Sequence, residues 1–302
     1  MADEIIRTVG EKAARQLSNT TKTPPQWLGA SPRWLAQLLP WAPVEAGVYR
    51  ANQAIDDDFQ VKCSPAQGEP LPVAFINYEE QPREYVLSSI ATTLQVDTRI
   101  SDLFRSPMDQ VKEQLTLAVE MLKEKQESEL LNNRNYGLLQ SVDPDQRIQS
   151  RKGTPTPDDL DELITKVWKE PAYFVAHPKA IAAFGRECTR RGVPPPTVSL
   201  FGSPFLTWRG LPLVPSDKIP IKDNKTDILL LRVGERKRGC VGLFQPGLPG
   251  EVSPSLSVRL KGINQAGAAE YQLSLYCSVA VLVHDALAVL EGVAIDRYHE
   301  YA

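Results

Sequence analysis

The alternation of apolar and polar residues changes period several times along the chain. Ile5, Ile6, Val9, Ala13 and Leu17 recur at helical spacing and predict a short amphipathic helix over 3–19. Thr20 to Gly47 loses all periodicity. It carries Pro24, Pro25, Pro32, Pro40 and Pro43, interleaved with Trp27, Trp34 and Trp41. Proline in a helix interior costs about 3 kcal/mol, so no continuous helix runs through this stretch. It reads as an extended segment whose rings must be buried somewhere. Two hosts are open: the chain's own body, or a neighbouring subunit. Residues 48–100 carry only short strand signals, Val73 to Tyr78 and Tyr85 to Leu87, between Pro70, Pro72 and Pro82. Such an excursion is too small and too polar to form its own core.

The strongest helix is predicted over 106–131. Ser106-Pro107-Met108-Asp109 is a helix-start signature, and Met108, Val111, Leu115, Ala118 and Leu122 form one apolar stripe. Lys112, Glu113, Lys123 and Glu124 are assigned to the opposite, solvated face. At 1.5 Å per residue the helix is about 37 Å long. Thr156-Pro157-Asp158-Asp159 opens a second helix, to about Lys169, and Pro171 closes it. Ala172 to Ala176 reads as a buried strand, His177-Pro178 as a turn, and Lys179 to Arg191 as a helix stopped by Gly192. Asp227 to Val233 is an apolar strand. From Leu256 onward the pattern alternates with period two through Val283, and Leu287 to Val293 reads as the last strand. A buried helix over 278–290 stays open, because a short apolar run does not distinguish the two. The elements mix helix and strand, and an α+β fold is expected.

Composition narrows the function more by exclusion than by signature. The chain has 302 residues, with 34 Lys plus Arg against 37 Asp plus Glu, a formal net charge of −3. A nucleic-acid binder normally shows a basic excess, so no nucleic-acid partner is expected. Proline is high, at 25 residues or about 8%, against roughly 5% in ordinary chains. Cys63, Cys188, Cys240 and Cys277 form no C-x-x-C pair, which argues against zinc and for thiols in a reducing cytosol. Met1 to Gly10 lacks the apolar core of a signal peptide. Ser278 to Ile295, the most apolar stretch, is broken by His284, Asp285 and Glu291, so no membrane partner is expected.

Catalytic constellations are missing. Ser203 lies in Gly-Ser-Pro and not in a G-x-S-x-G elbow, and the adjacent His284 and Asp285 are poorly placed to serve one another. His177 before a proline reads as a turn residue. There is no phosphate-binding glycine loop, no paired-histidine metal motif and no dinucleotide fingerprint. Arg236-Lys237-Arg238 reads as a solvated basic turn. Neither a cofactor nor an enzymatic activity is expected. An arm, a core-less loop, a long helix and a mixed domain favour a protein that assembles.

Tyr173-Phe-Val-Ala-His-Pro-Lys-Ala-Ile-Ala-Ala-Phe-Gly-Arg186 and Trp208-Arg-Gly-Leu-Pro-Leu-Val-Pro-Ser216 resemble tailed-phage major capsid proteins of the Hong Kong 97-like fold. The order of parts is also similar, as is the closing strand Ala286 to Leu290. Within that fold the chain looks most like a family 2A encapsulin shell protein, over nearly its whole length. The resemblance implies an N-terminal arm (1–47), an extended loop (48–104), a peripheral domain with a spine helix (105–154), an axial domain (155–255) and strands returning to the peripheral domain (256–302). It implies a closed icosahedral shell in the bacterial cytoplasm, of about sixty copies in the smallest case. The implied cargo is a cysteine desulfurase, which places the shell in sulfur metabolism. A phage or prophage major capsid protein is the alternative. Trp27, Trp34 and Trp41 become candidate subunit contacts. By analogy, the loop after the 179–191 helix lies near the five-fold axis, making Arg190, Arg191, Val193, Pro194 and Thr197 candidates for a pore rim that favours anions. An ordinary stiff surface loop is the plainer alternative.

Overall fold

The computed structural model describes residues 27–45, 47–52, 54–55, 61–64, 67–73, 75–96, 110–265 and 267–298. The helix expected over 3–19 and the Ser106 to Asp109 start signature lie outside them.

Arg33, with φ of 51°, turns the chain into a one-turn helix α1 (Trp34–Leu38), and strand β1 (Trp41–Pro43) follows. The extended loop contains two nested antiparallel pairs: β2 (Val48–Ala51) with β5 (Arg83–Val86), and between them in sequence β3 (Ala54–Ile55) with β4 (Asn77–Tyr78). It returns through β6 (Ser88–Val96) into the long helix α2 (Gln110–Asn132). β7 (Arg147–Gln149) precedes α3 (Pro157–Lys166). Thr156 caps α3 through a reciprocal capping box with Asp159, as the sequence indicates, although the helix ends three residues early. β8 (Tyr173–Ala176), α4 (Pro178–Arg190), β9 (Thr197–Leu200), β10 (Ser203–Trp208), β11 (Leu211–Pro215) and β12 (Lys225–Leu231) follow. β13 (Cys240–Phe244), β14 (Glu251–Ser253), β15 (Leu256–Ile263), β16 (Ala269–Val281) and β17 (Leu287–Ala294) complete the chain. The helix alternative for 278–290 is resolved as strand, a 3-10 turn at His284–Ala286, and strand.

Among the described residues the large sheets are two. The seven-stranded one runs β7-β17-β12-β8-β11-β10-β9. Its central strands are apolar on both faces because both faces are covered. Val175, Leu229, Leu231 and Val289 pack with Leu35, Leu39, Leu130 and Leu138 on one side. Phe174, Ile228, Leu230 and Leu290 pack with Leu160, Leu163 and Phe184 of α3 and α4 on the other. The second sheet runs β1-β13-β16-β15-β14, with β6 on the first half of β16. Leu115, Ala118 and Leu122 of α2 cover it at Leu256, Leu273 and Leu275.

The sheets cut across the boundaries drawn from sequence. β17, expected to return to the peripheral domain, lies between β12 and β7 in the seven-stranded sheet. β13, placed in the axial domain, pairs with β16 instead. Apolar alternation marks a strand but carries no record of its non-local partner.

Candidate functional site

The arm is held to α2 by a row of acids. Glu120, Glu124 and Glu127 lie along one face of α2, four and three residues apart. Ser31 donates to Glu124 from its backbone N (2.8 Å) and from Oγ (2.9 Å to Oε2). Arg33 pairs with Glu120 (2.5 Å) and Glu124 (3.3 Å). The backbone N of Ala36 donates to Glu127 Oε2 (3.3 Å). From the other side, Lys218 Nζ reaches Glu124 (2.8 Å) and Ser216 Oγ donates to Glu127 (2.8 Å). Arm, spine helix and the loop after β11 therefore meet on two glutamates. Burial alone would raise the pKa of Glu124, but Lys218 and Ser31 outweigh it and hold the carboxyl below the usual range. At Glu127 burial wins over the bonds from Ser216 and Ala36, and the pKa is raised. The sequence puts Glu124 on the solvated face of the helix; the structure buries it, because an acid row at helical spacing looks the same facing water or facing an arm.

Trp34 stacks on Phe201 (5.9 Å between centroids) and meets Phe205 edge-on (5.2 Å). Trp41 donates from Nε1 to the Ala36 carbonyl (2.9 Å) and lies between the two cores that flank α2. Both rings pack on the chain's own body, where α1 and β1 fold back onto α2 and β13. Trp27 is half-buried in a turn just ahead of Ser31.

Two tyrosine hydroxyls hold the base of the extended loop. Tyr85 donates to the Val281 carbonyl (2.5 Å) and Tyr49 to Glu235 (2.9 Å). Burial, then Glu235, pushes the Tyr49 hydroxyl up to about 12. Further out, Leu71, Val73, Phe75, Ile76 and Tyr78 are 59–80% exposed. They form an apolar row on a loop without a core to receive it.

At the far end of the seven-stranded sheet, the rim candidates Val193, Pro194 and Thr197 are exposed between α4 and β9. Arg190 and Arg191 both pair with the buried Glu187, Arg191 at 2.7 Å, and Arg191 also reaches Asp158 (3.2 Å). His177 caps α4, its Nδ1 accepting from Lys179 N (3.1 Å). Asp285 serves Arg232 (2.6 Å) and Lys169 (3.0 Å), while Ser203 opens β10 opposite Leu200. Cys188, Cys240 and Cys277 are buried, and burial pushes their thiols up to about 11, 12 and 12. Among the described residues no group of acids, histidines and cysteines could hold a metal ion, and no helix is long and apolar enough to cross a membrane.

The chain of a native GTA particle capsid superposes with a TM-score of 0.65 at 13% identity, over 95% of this chain and 98% of that one. Microbacterium phage Oxtober96 gives 0.61 at 12%, over 90% and 93%. At such identity the likeness speaks for the fold alone, which is that of the Hong Kong 97-like capsid proteins. The electron cryo-microscopy structure of the holo-SrpI encapsulin complex from Synechococcus elongatus PCC 7942 is far nearer, with a TM-score of 0.86 at 58% identity over 98% of this chain and 99% of that one. The SrpI-like family, described as type 2A encapsulin shell protein SrpI-like, matches residues 46–297. The S. elongatus type 2A encapsulin shell protein SrpI is 61% identical over 96% of this chain and 95% of its own length. A type 2A encapsulin shell protein of Mycolicibacterium paratuberculosis is 56% identical over 98% and 97%. The chain belongs to the type 2A encapsulin shell proteins. It is a structural subunit of a capsid-like nanocompartment.

Proposed function

We propose that copies of this chain close into an icosahedral shell of about sixty subunits in the bacterial cytoplasm, and that the shell encloses a cysteine desulfurase in the service of sulfur metabolism. The observation that carries the assembly is the apolar row Leu71, Val73, Phe75, Ile76 and Tyr78, which stays 59–80% exposed among the described residues. Monomeric proteins rarely leave such a patch open, and a neighbouring copy is the natural cover. Of the three arm tryptophans, Trp27, at the edge of the described arm, is the proposed contact with that neighbour. The segment Arg190 to Thr197 is the proposed rim of the five-fold pore. Its charge is nearly balanced, because Glu187 and Asp158 offset Arg190 and Arg191. Pore passage then depends on the width set by Val193 and Pro194 more than on an excess of positive charge.

Size-exclusion chromatography and electron microscopy of the purified protein test the shell. At 33.5 kDa per chain, sixty copies give particles of about 2 MDa, whereas a stable monomer or small oligomer would overturn it. Co-expression with a cysteine desulfurase tests the cargo separately: co-elution of the desulfurase with the particle is expected, and an empty particle beside free desulfurase rejects that cargo while leaving the shell.

A further inference from the structure

Glu124 and Glu127 sit one helical turn apart on α2 and are 4% and 1% exposed. Their surroundings differ in kind. Glu124 is met by cations, Lys218 and Arg33, as well as by Ser31. Glu127 is met by two neutral donors, the Ala36 amide and the Ser216 hydroxyl. The titratable and charged groups around the pair are Glu120 on α2, Arg33 on the arm, Asp217 and Lys218 on the loop after β11, and Tyr173 on β8. Residues 31–39 of the arm bind to and lie over both carboxylates, so lifting the arm returns them toward water.

We propose that docking of the arm on the spine helix is proton-linked through this pair, Glu127 gaining protons and Glu124 losing them as the arm seats, so that mild acidification tightens the arm instead of releasing it. The two signs follow from burial and pairing. Glu124 is depressed first by Lys218, which stays with the loop after β11, and then by Ser31 of the arm; the arm's share is fully present above the ordinary glutamate pKa of about 4.3 and is lost as pH falls through the depressed value. Glu127 is raised when docked, so burying its anion opposes docking, and this opposition grows as pH rises from about 4.3 through the raised value. Docking is therefore strongest near the ordinary glutamate pKa of about 4.3 and weakens as pH rises through the raised value of Glu127. The buried but proton-accepting Glu127 makes the arm contact adjustable while Glu124 keeps its register. These contacts lie within one subunit, so their failure would leave the proposed shell and its cargo untouched.

Hydrogen–deuterium exchange of the 31–39 backbone amides in the full-length assembled protein tests the linkage, with rates corrected for intrinsic exchange. Wild-type protection should rise between about pH 8 and about pH 5, by up to about tenfold for each pKa unit separating docked from undocked Glu127. At neutral pH, Glu127→Gln keeps a carbonyl acceptor without the charge, so protection should rise. Glu124→Gln loses the pairing with Lys218 and Arg33, so protection should fall. Protection that falls steadily toward acid overturns the proposal, as does a Glu127→Gln protein whose arm is unchanged or looser. The wild-type pH series decides the matter alone if either variant does not fold.

Discussion

The ring of Trp41 lies directly over Gly242: a Cβ built at 242 would come within 2.7 Å of ring atoms Cδ2 and Cε3. The two residues are register partners in the parallel pair β1–β13, so the absent side chain is what lets the arm strand lie flat on the sheet. Gly242→Ala should lift Trp41 from both cores it joins. Overpacking of this kind costs about 1–3 kcal/mol, to be read as a lower melting temperature by calorimetry. Combining it with Trp41→Leu should recover part of the loss, since the smaller side chain vacates the contact. An additive double variant would mean the two positions act separately.

The loop makes the opposite prediction, of an effect on assembly without one on folding. Val73 and Phe75 are 80% and 77% exposed in the subunit. Val73→Asp and Phe75→Asp should leave circular dichroism unchanged and abolish or weaken particle formation by size-exclusion chromatography. Burial of one such side chain in an interface is worth about 1.5–3 kcal/mol, and each shell repeats the loss at every copy. Wild-type particle yield from both variants would remove the apolar row from the assembly contacts.

Local signals were legible in the sequence and non-local ones were not. Thr156-Pro157-Asp158-Asp159 announced a capped helix because cap and partner are three residues apart. Phe174 and Ile228 to Leu231 announced buried strands because a strand covered on both faces must be apolar throughout. The clamp on Glu124 and Glu127 was hidden, since its donors Ser31, Ala36 and Ser216 lie about ninety residues away in sequence. Trp34 and Trp41 were visible as rings that need cover, but hydrophobicity does not say whose surface supplies it. The place of β17 beside β12 was hidden for the same reason.

Arg232, which is buried, and Asp285, which is partly buried, link the residue after β12 to the turn before β17. Arg232 is 2% exposed and Asp285 also holds Lys169 (3.0 Å). Burial would raise Asp285, but hydrogen bonds from Arg232 and Lys169 prevail and lower it. A depressed acid contributes stability above its unfolded pKa of about 3.9 and loses it as pH falls through the folded value. Asp285→Asn leaves a buried guanidinium without its counter-charge, and removing one partner of a buried pair costs about 3–5 kcal/mol. Denaturant melts near neutral pH should show that loss, and the gap between wild type and variant should narrow at pH values well below about 3.9. A gap independent of pH would assign the cost to packing instead of charge.

At the proposed pore rim the two arginines should separate by partner number. Arg191 bridges Glu187 and Asp158, whereas Arg190 meets Glu187 alone. Glu187 is 4% exposed and accepts from both arginines, so losing one of these buried hydrogen bonds costs about 1–3 kcal/mol. Arg191→Gln should therefore lower subunit stability more than Arg190→Gln, because Arg190 is 53% exposed and free to reorient. Passage of a neutral solute should change little in either variant, since neither alters the width set by Val193 and Pro194. Replacing Val193 with Gly widens the rim without touching any charge, and faster entry of a neutral solute into the particle is then the expected result. If Arg190→Gln alone sharply reduced anion entry while Val193→Gly did nothing, the rim would be selecting by charge, and the pairing with Glu187 would not survive in the closed shell.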